Sequence, residues 1–101
     1  MNYSGTITWE NKLVCNVTNI TPDMWYLEAD WAPVISDHSA KFINIASKLN
    51  PEKVFKDLRK GIVAVLIYDD APHNPNLVLI ISLENWKIFM RRITSDIAKT
   101  L

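Results

Sequence analysis

The strongest constraint in this chain is a pair of apolar runs, residues 62–68 and 77–81, in which consecutive positions are all apolar. In an extended backbone Ile62, Ala64, Leu66 and Tyr68 point to one side, and Val63, Val65 and Ile67 point to the other. Leu77, Leu79 and Ile81 against Val78 and Ile80 repeat the pattern. Strands that are apolar on both sides need cover on both sides, as central strands do. The connection, residues 69–76, is too short for a parallel crossover, so the runs form an antiparallel hairpin. The rest of the chain must then supply two layers of cover.

Upstream, the pattern is one-sided. Thr6-Ile-Thr-Trp9 alternates, and after the short polar link at 10–12 Leu13, Cys15 and Val17 share a face opposite Asn16 and Thr18. A third alternating stretch places Trp25, Leu27, Ala29 and Trp31 on one side and Met24, Tyr26, Glu28 and Asp30 on the other. These segments predict a three-stranded antiparallel meander with one apolar face.

Pro33 ends the meander, and Ser36 or Asp37 can cap a helix whose stripe is Phe42, Ile45, Ala46 and Leu49. Asn50 suits an N-cap, Pro51 the first helical position and Glu52 the first turn, so a second helix follows, burying Val54, Phe55 and Leu58. Gly61 is expected to take a left-handed cap at its end. Downstream of the hairpin, Ser82 and Glu84 read as the start of a third helix. Its apolar stripe would be Trp86, Phe89, Met90, Ile93 and Ile97, with Lys87, Arg91, Asp96 and Lys99 opposite. On this reading Trp25, Trp31 and Trp86 are core residues, while Trp9 lies near a strand end.

The expected fold is thus α+β: one globular domain over residues 1–101, a mainly antiparallel five-stranded sheet and three helices in the order β-β-β-α-α-β-β-α. Three modest helices would struggle to cover both faces of the hairpin. The surplus apolar side would then be met by a second copy of the chain or by a partner protein.

Charge narrows the function classes. The formal total is zero, which argues against a protein whose main work is gripping nucleic acid. The distribution is uneven. Glu10, Asp23, Glu28, Asp30 and Asp37 oppose only Lys12 in the first third, whereas Lys41, Lys48, Lys53, Lys56, Arg59 and Lys60 oppose Glu52 and Asp57 in the next segment. With a single cysteine, Cys15, no internal disulfide can form. No apolar stretch reaches the roughly 20 residues of a membrane-spanning helix, and the first residues lack the pattern of a secretion signal. The expected setting is therefore a reducing, cytoplasmic one, with no membrane association.

Four clusters carry candidate chemistry. Asp69, Asp70 and His73 could form a metal or acid–base group, joined by Asp37 and His38, but Asp, Asn and Pro in this loop also have ordinary turn roles. Cys15 could serve as a nucleophile with His38 or His73 as base, yet its strand face marks a small core residue. Lys53, Lys56, Arg59 and Lys60 form a basic helix face, interrupted by acids. Asp23, Tyr26, Glu28, Asp30 and Asp37 place acids around an aromatic ring, the composition of a docking patch for a basic partner.

The expectation drawn from these features is a small non-enzymatic intracellular protein-binding module, requiring no cofactor. It would act like an immunity protein or antitoxin, holding a partner such as a basic toxin or nuclease through Asp23, Tyr26, Glu28, Asp30 and Asp37. The alternatives are a metal-dependent hydrolase built on Asp69, Asp70 and His73, and a nucleic-acid-binding regulator using the basic helix.

Overall fold

The computed structural model describes residues 3–101. Six strands, β1 (Tyr3–Trp9), β2 (Lys12–Asp23), β3 (Tyr26–Pro33), β4 (Ile62–Tyr68), β5 (Asn76–Glu84) and β6 (Lys87–Arg92), close into an antiparallel barrel in the order β1-β2-β3-β6-β5-β4. Pairing of β1 with β4, from Gly5↔Tyr68 to Thr8↔Val65, completes the ring. Helices α1 (Asp37–Ala46) and α2 (Pro51–Lys56) and a single 3-10 turn (Leu58–Lys60) join β3 to β4, and α3 (Ser95–Lys99) ends the chain.

The meander and the β4–β5 hairpin form as the sequence predicts. The five-stranded sheet does not: the segment expected to be a long third helix is mostly strand. Asn85 and Trp86 both take positive φ, 47° and 66°, and make a two-residue turn between the paired Glu84 and Lys87. This is the left-handed geometry that tight hairpins need and that Asn tolerates well. Beyond it Ile88 and Met90 point into the barrel and are fully buried, while Phe89 and Arg91 point outward. Over so short a stretch apolar residues fit both a helical stripe and a strand alternation. Pairing with β3 and β5 on either side selects the strand. Ser82, expected to cap a helix, lies within β5; the cap of α3 is Thr94, whose Oγ1 accepts from the Ile97 amide at 3.2 Å.

The β1–β2 hairpin uses the same turn geometry, with Glu10 and Asn11 at φ 52° and 65°. Its register slips between Ile7↔Cys15 and Thr8↔Leu13, leaving Val14 as an extra residue. Val14 and Cys15 are consequently both buried, and Leu13, expected to share the face of Cys15, is turned outward. The carbonyl of Val14 accepts from the Val34 amide at 3.2 Å and from the buried Ser39 hydroxyl at 2.6 Å, which fixes α1 to the barrel. Ser36 caps α1 and Asn50 caps α2 as expected, their side-chain oxygens accepting from Ser39 and Glu52 amides. On α1 the buried stripe includes Ser39, Phe42 and Ala46, with Ile43 and Leu49 packed against the core, whereas Ile45 lies outside it.

Two cores result. The barrel interior holds Ile7, Val17, Leu27, Leu66, Ile80, Ile88 and Met90, plugged at one end by Phe42 and Ala46 of α1. A second core lies on the outside, where Val54 of α2 and Ile93 cover Leu79 and Ile81 of β5, with Leu58, Ile97 and Leu101 packed around them. The surplus apolar face of β5 is thus sheltered by the chain's own helices, which removes that strand as an argument for a second copy. On β4, Val63, Val65 and Ile67 stay half-buried.

The glycines mark close approaches. Gly61 is extended, with φ −86° and ψ −175°, and not the left-handed cap expected; a Cβ there would come within 2.8 Å of the Ile80 carbonyl oxygen and 2.9 Å of Leu79 Cγ. At Gly5 a Cβ would collide with the Ile67 carbonyl oxygen, a backbone atom unable to yield. Gly5→Ala should therefore strain the β1–β4 closure and cost about 3 kcal/mol of stability. The expected readout is a lower urea midpoint at unchanged slope.

Candidate functional site

The outer face of the β3–β6 ladder brings half-buried aromatic rings together with charged groups. Register brings Tyr26 opposite Arg91, Glu28 opposite Phe89, and Asp30 opposite Lys87. Tyr26 and Phe89 stack nearly parallel, with centroids 5.5 Å apart and planes at 10°. Phe55 of α2 meets them edge-on at 5.9 Å from Tyr26 and tilted at 6.2 Å from Phe89. Flat rings packed this way give a rigid apolar floor.

Two shallow clefts flank Glu28 on this floor. One, of about 240 Å³, is lined by Asp23, Thr21, Tyr26, Glu28 and Phe89. The other, of about 390 Å³, is lined by Glu28, Ser82, Glu84, Lys87 and Phe89. The one cation between them, Lys87, is engaged: its Nζ lies 2.5 Å from Asp30 Oδ1. The left-handed bulge at Asn19, φ 53°, lets the Asn19 amide donate to Asp30 Oδ2 at 2.8 Å. Hydrogen bonds from Lys87 and Asn19 hold the Asp30 carboxyl below its usual range, and the Asp30 carboxylate, with Glu28 nearby, raises the Lys87 ammonium. Among the described residues no ion pair engages Asp23, Glu28 or Glu84.

Of the residues expected to form a partner site, Asp23, Tyr26, Glu28 and Asp30 are brought together on this face. Asp37 is not; it starts α1, which packs chiefly on β2 and β5. Phe89, Lys87 and Glu84 complete the surface and were missed, because a helical reading of 82–97 separates them from β3. The alternation of Ile88 and Met90 against Phe89 and Arg91 was the available signal.

The tryptophans also depart from expectation. Trp25 and Trp86 are 60% and 69% exposed, each in a hairpin turn, while Trp31 packs against the barrel core. Trp9 stacks on His38 at 4.8 Å, and His38 Nε2–H donates to the Trp9 carbonyl at 2.9 Å. His38 is thereby tied into the α1 attachment, 3.6 Å from Glu10.

Asp69, Asp70 and His73 lie in an exposed loop, and no group of three or more His, Cys, Asp or Glu side chains converges on a metal-sized site among the described residues. Cys15 is fully buried, and loss of solvation pushes its thiol up to about 12, so it is protonated at neutral pH and unsuited to nucleophilic attack. On the basic segment Arg59 forms a forked pair with Asp57, at 3.0 and 3.2 Å, which removes one of its free cations.

No protein-family model matches the chain, and neither the curated proteins nor the solved structures contain a significant match.

Two expected outcomes test these electrostatics. An unfolded thiol ionises near pH 9 and the folded one near 12, so the stability tied to Cys15 is complete below pH 9 and lost as pH rises toward 12. Wild type should lose up to about 1.4 kcal/mol per pH unit more than Cys15→Ala across that window, measured by urea unfolding. For Asp30 the folded value is depressed, so its contribution is present above the unfolded value and disappears as pH falls through the folded one. Asp30→Asn should flatten the acid limb of a stability–pH profile below about pH 4.

Proposed function

We propose that the chain is a protein-binding module that captures a basic segment of its partner on the outer face of β3 and β6. One observation carries this reading: the carboxylates of Asp23, Glu28 and Glu84, which form no ion pair among the described residues, surround the stacked Tyr26–Phe89 floor. A guanidinium is flat and weakly hydrated, so it can lie on an aromatic ring while its N–H groups reach a carboxylate. Glu28 borders both clefts and stands where such a group would be shared between them.

The chemistry fits an inhibitor of the immunity or antitoxin kind, which neutralises a cationic partner by covering its surface. Acid rims of this type speed encounter and set specificity, and their effect falls within a Debye length of roughly 8 Å at physiological salt. Tyr26 and Phe89 would supply the contact area that resists dissociation.

The test uses an Arg- and Lys-rich peptide as probe, titrated into wild type and into Asp23→Lys/Glu28→Lys at two salt concentrations. Wild type should bind and weaken as salt rises; the double variant should bind at least 30-fold more weakly with little salt dependence left. Equal affinity in the two proteins would refute the assignment. Asp30 is the less informative target, since its reversal also breaks the Lys87 pair.

A further inference from the structure

The two ends of the barrel are unlike. The end near Trp9 and Pro33 is plugged by Phe42 and Ala46 of α1. The opposite mouth is framed by Tyr3 and Tyr68, whose rings meet edge-on at 6.0 Å and 81°. A cavity of about 300 Å³ opens there, bordered by Tyr3, Tyr68, Asp70 and Arg92. A second cavity of about 400 Å³ adjoins it, bordered by Trp25, Arg91, Arg92 and Ile97. Arg92 lies in the wall of both.

Among the described residues neither Arg91, Arg92 nor Asp70 takes part in an ion pair, and the buried Arg91 Nη1 has no hydrogen-bond partner, the costly condition for a charged donor. The Arg92 amide donates to the Trp25 carbonyl at 2.6 Å, which ties the backbone of the β2–β3 turn to the end of β6, and the exposed Trp25 lines the same cavity as the two arginines. Flat rings next to guanidinium groups at a barrel mouth are the elements of a small-molecule site.

The geometry points to a binding site for a planar ring carrying a phosphate monoester, the chemistry of a mononucleotide. Two arginines lining one cavity match a dianion better than a singly charged carboxylate, since guanidinium groups hydrogen-bond phosphate oxygens in their own plane. Trp25 offers a face for ring stacking, which accepts any flat heterocycle. Asp70 can accept from a ring amino group or a sugar hydroxyl. A long polyanion is disfavoured, because Asp70 borders the mouth, Asp69 precedes it in the chain and Asp23 lines the neighbouring cleft, and these would repel successive phosphates. This site differs in charge from the acid-rimmed β3–β6 face and meets it at the Tyr26–Arg91 rung.

The test is titration of AMP, adenosine and inorganic phosphate at low ionic strength, followed by calorimetry and by the indole N–H resonance of Trp25. AMP should bind at least tenfold more tightly than either fragment and shift the Trp25 signal. Trp25→Ala and Arg92→Ala alter exposed side chains, and with unchanged thermal midpoints each should weaken AMP at least tenfold. The proposal is overturned if adenosine or inorganic phosphate binds as tightly as AMP, if either variant retains wild-type affinity, or if millimolar AMP leaves Trp25 unshifted.

Discussion

Closure of β1 onto β4 is the contact on which the rest of the structure depends. Without it the sheet would end in two exposed edges with unpaired backbone groups. With it, each of the six strands has a neighbour on either side, and alternate residues of every strand are forced inward or outward. Six strands leave an interior just wide enough for side chains, and the small residues Ala29, Ala64 and Cys15 fit beside Ile7, Leu66 and Met90. Gly5 lets β1 approach β4 closely at the seam.

The same closure assigns the helices their work. Once the ring is shut, Leu79 and Ile81 face outward whatever their hydrophobicity, and burying them is worth roughly 2 kcal/mol each. The link between β3 and β4 supplies α2, and the segment after β6 supplies Ile93 and α3, to cover them. Helix α1 is used differently, as a stopper in one end of the barrel, held by Ser39 on the carbonyl that the β2 bulge leaves free. With its helices spent on one outer face and one end, the described chain covers the β3–β6 face only at its edge, through Phe55 of α2.

Much of this was legible in the sequence, for identifiable reasons. The meander, the β4–β5 hairpin and the caps at Ser36 and Asn50 are local patterns, and local patterns survive folding. The two-sided hairpin was read correctly as needing two layers, but that need was assigned to another molecule because barrel closure is not local. Strand β6 was the decisive miss. Phe89 and Met90, with Trp86 before the strand and Ile93 after it, satisfy a helical spacing, and the Asn85–Trp86 turn lacks the glycine that usually announces a two-residue hairpin. Of the acidic face, Tyr26, Glu28 and Asp30 were legible because they lie on one strand; Asp37 was added by proximity in sequence and starts α1.

That miss bears on function, because β6 stands at the junction of both open surfaces. It contributes Phe89 and Lys87 to the acid-rimmed clefts and Arg91 and Arg92 to the barrel mouth. Tyr26 and Arg91 are cross-strand partners, so the two surfaces meet at one rung of the ladder. A strand paired on both sides and buried on its inner face cannot shift register without turning Ile88 and Met90 out of the core. Its outward side chains, Lys87, Phe89 and Arg91, are therefore held at fixed spacing against Asp30, Glu28 and Tyr26 of β3. The side chains hardest to place from sequence are those whose relative positions the closed barrel fixes most firmly.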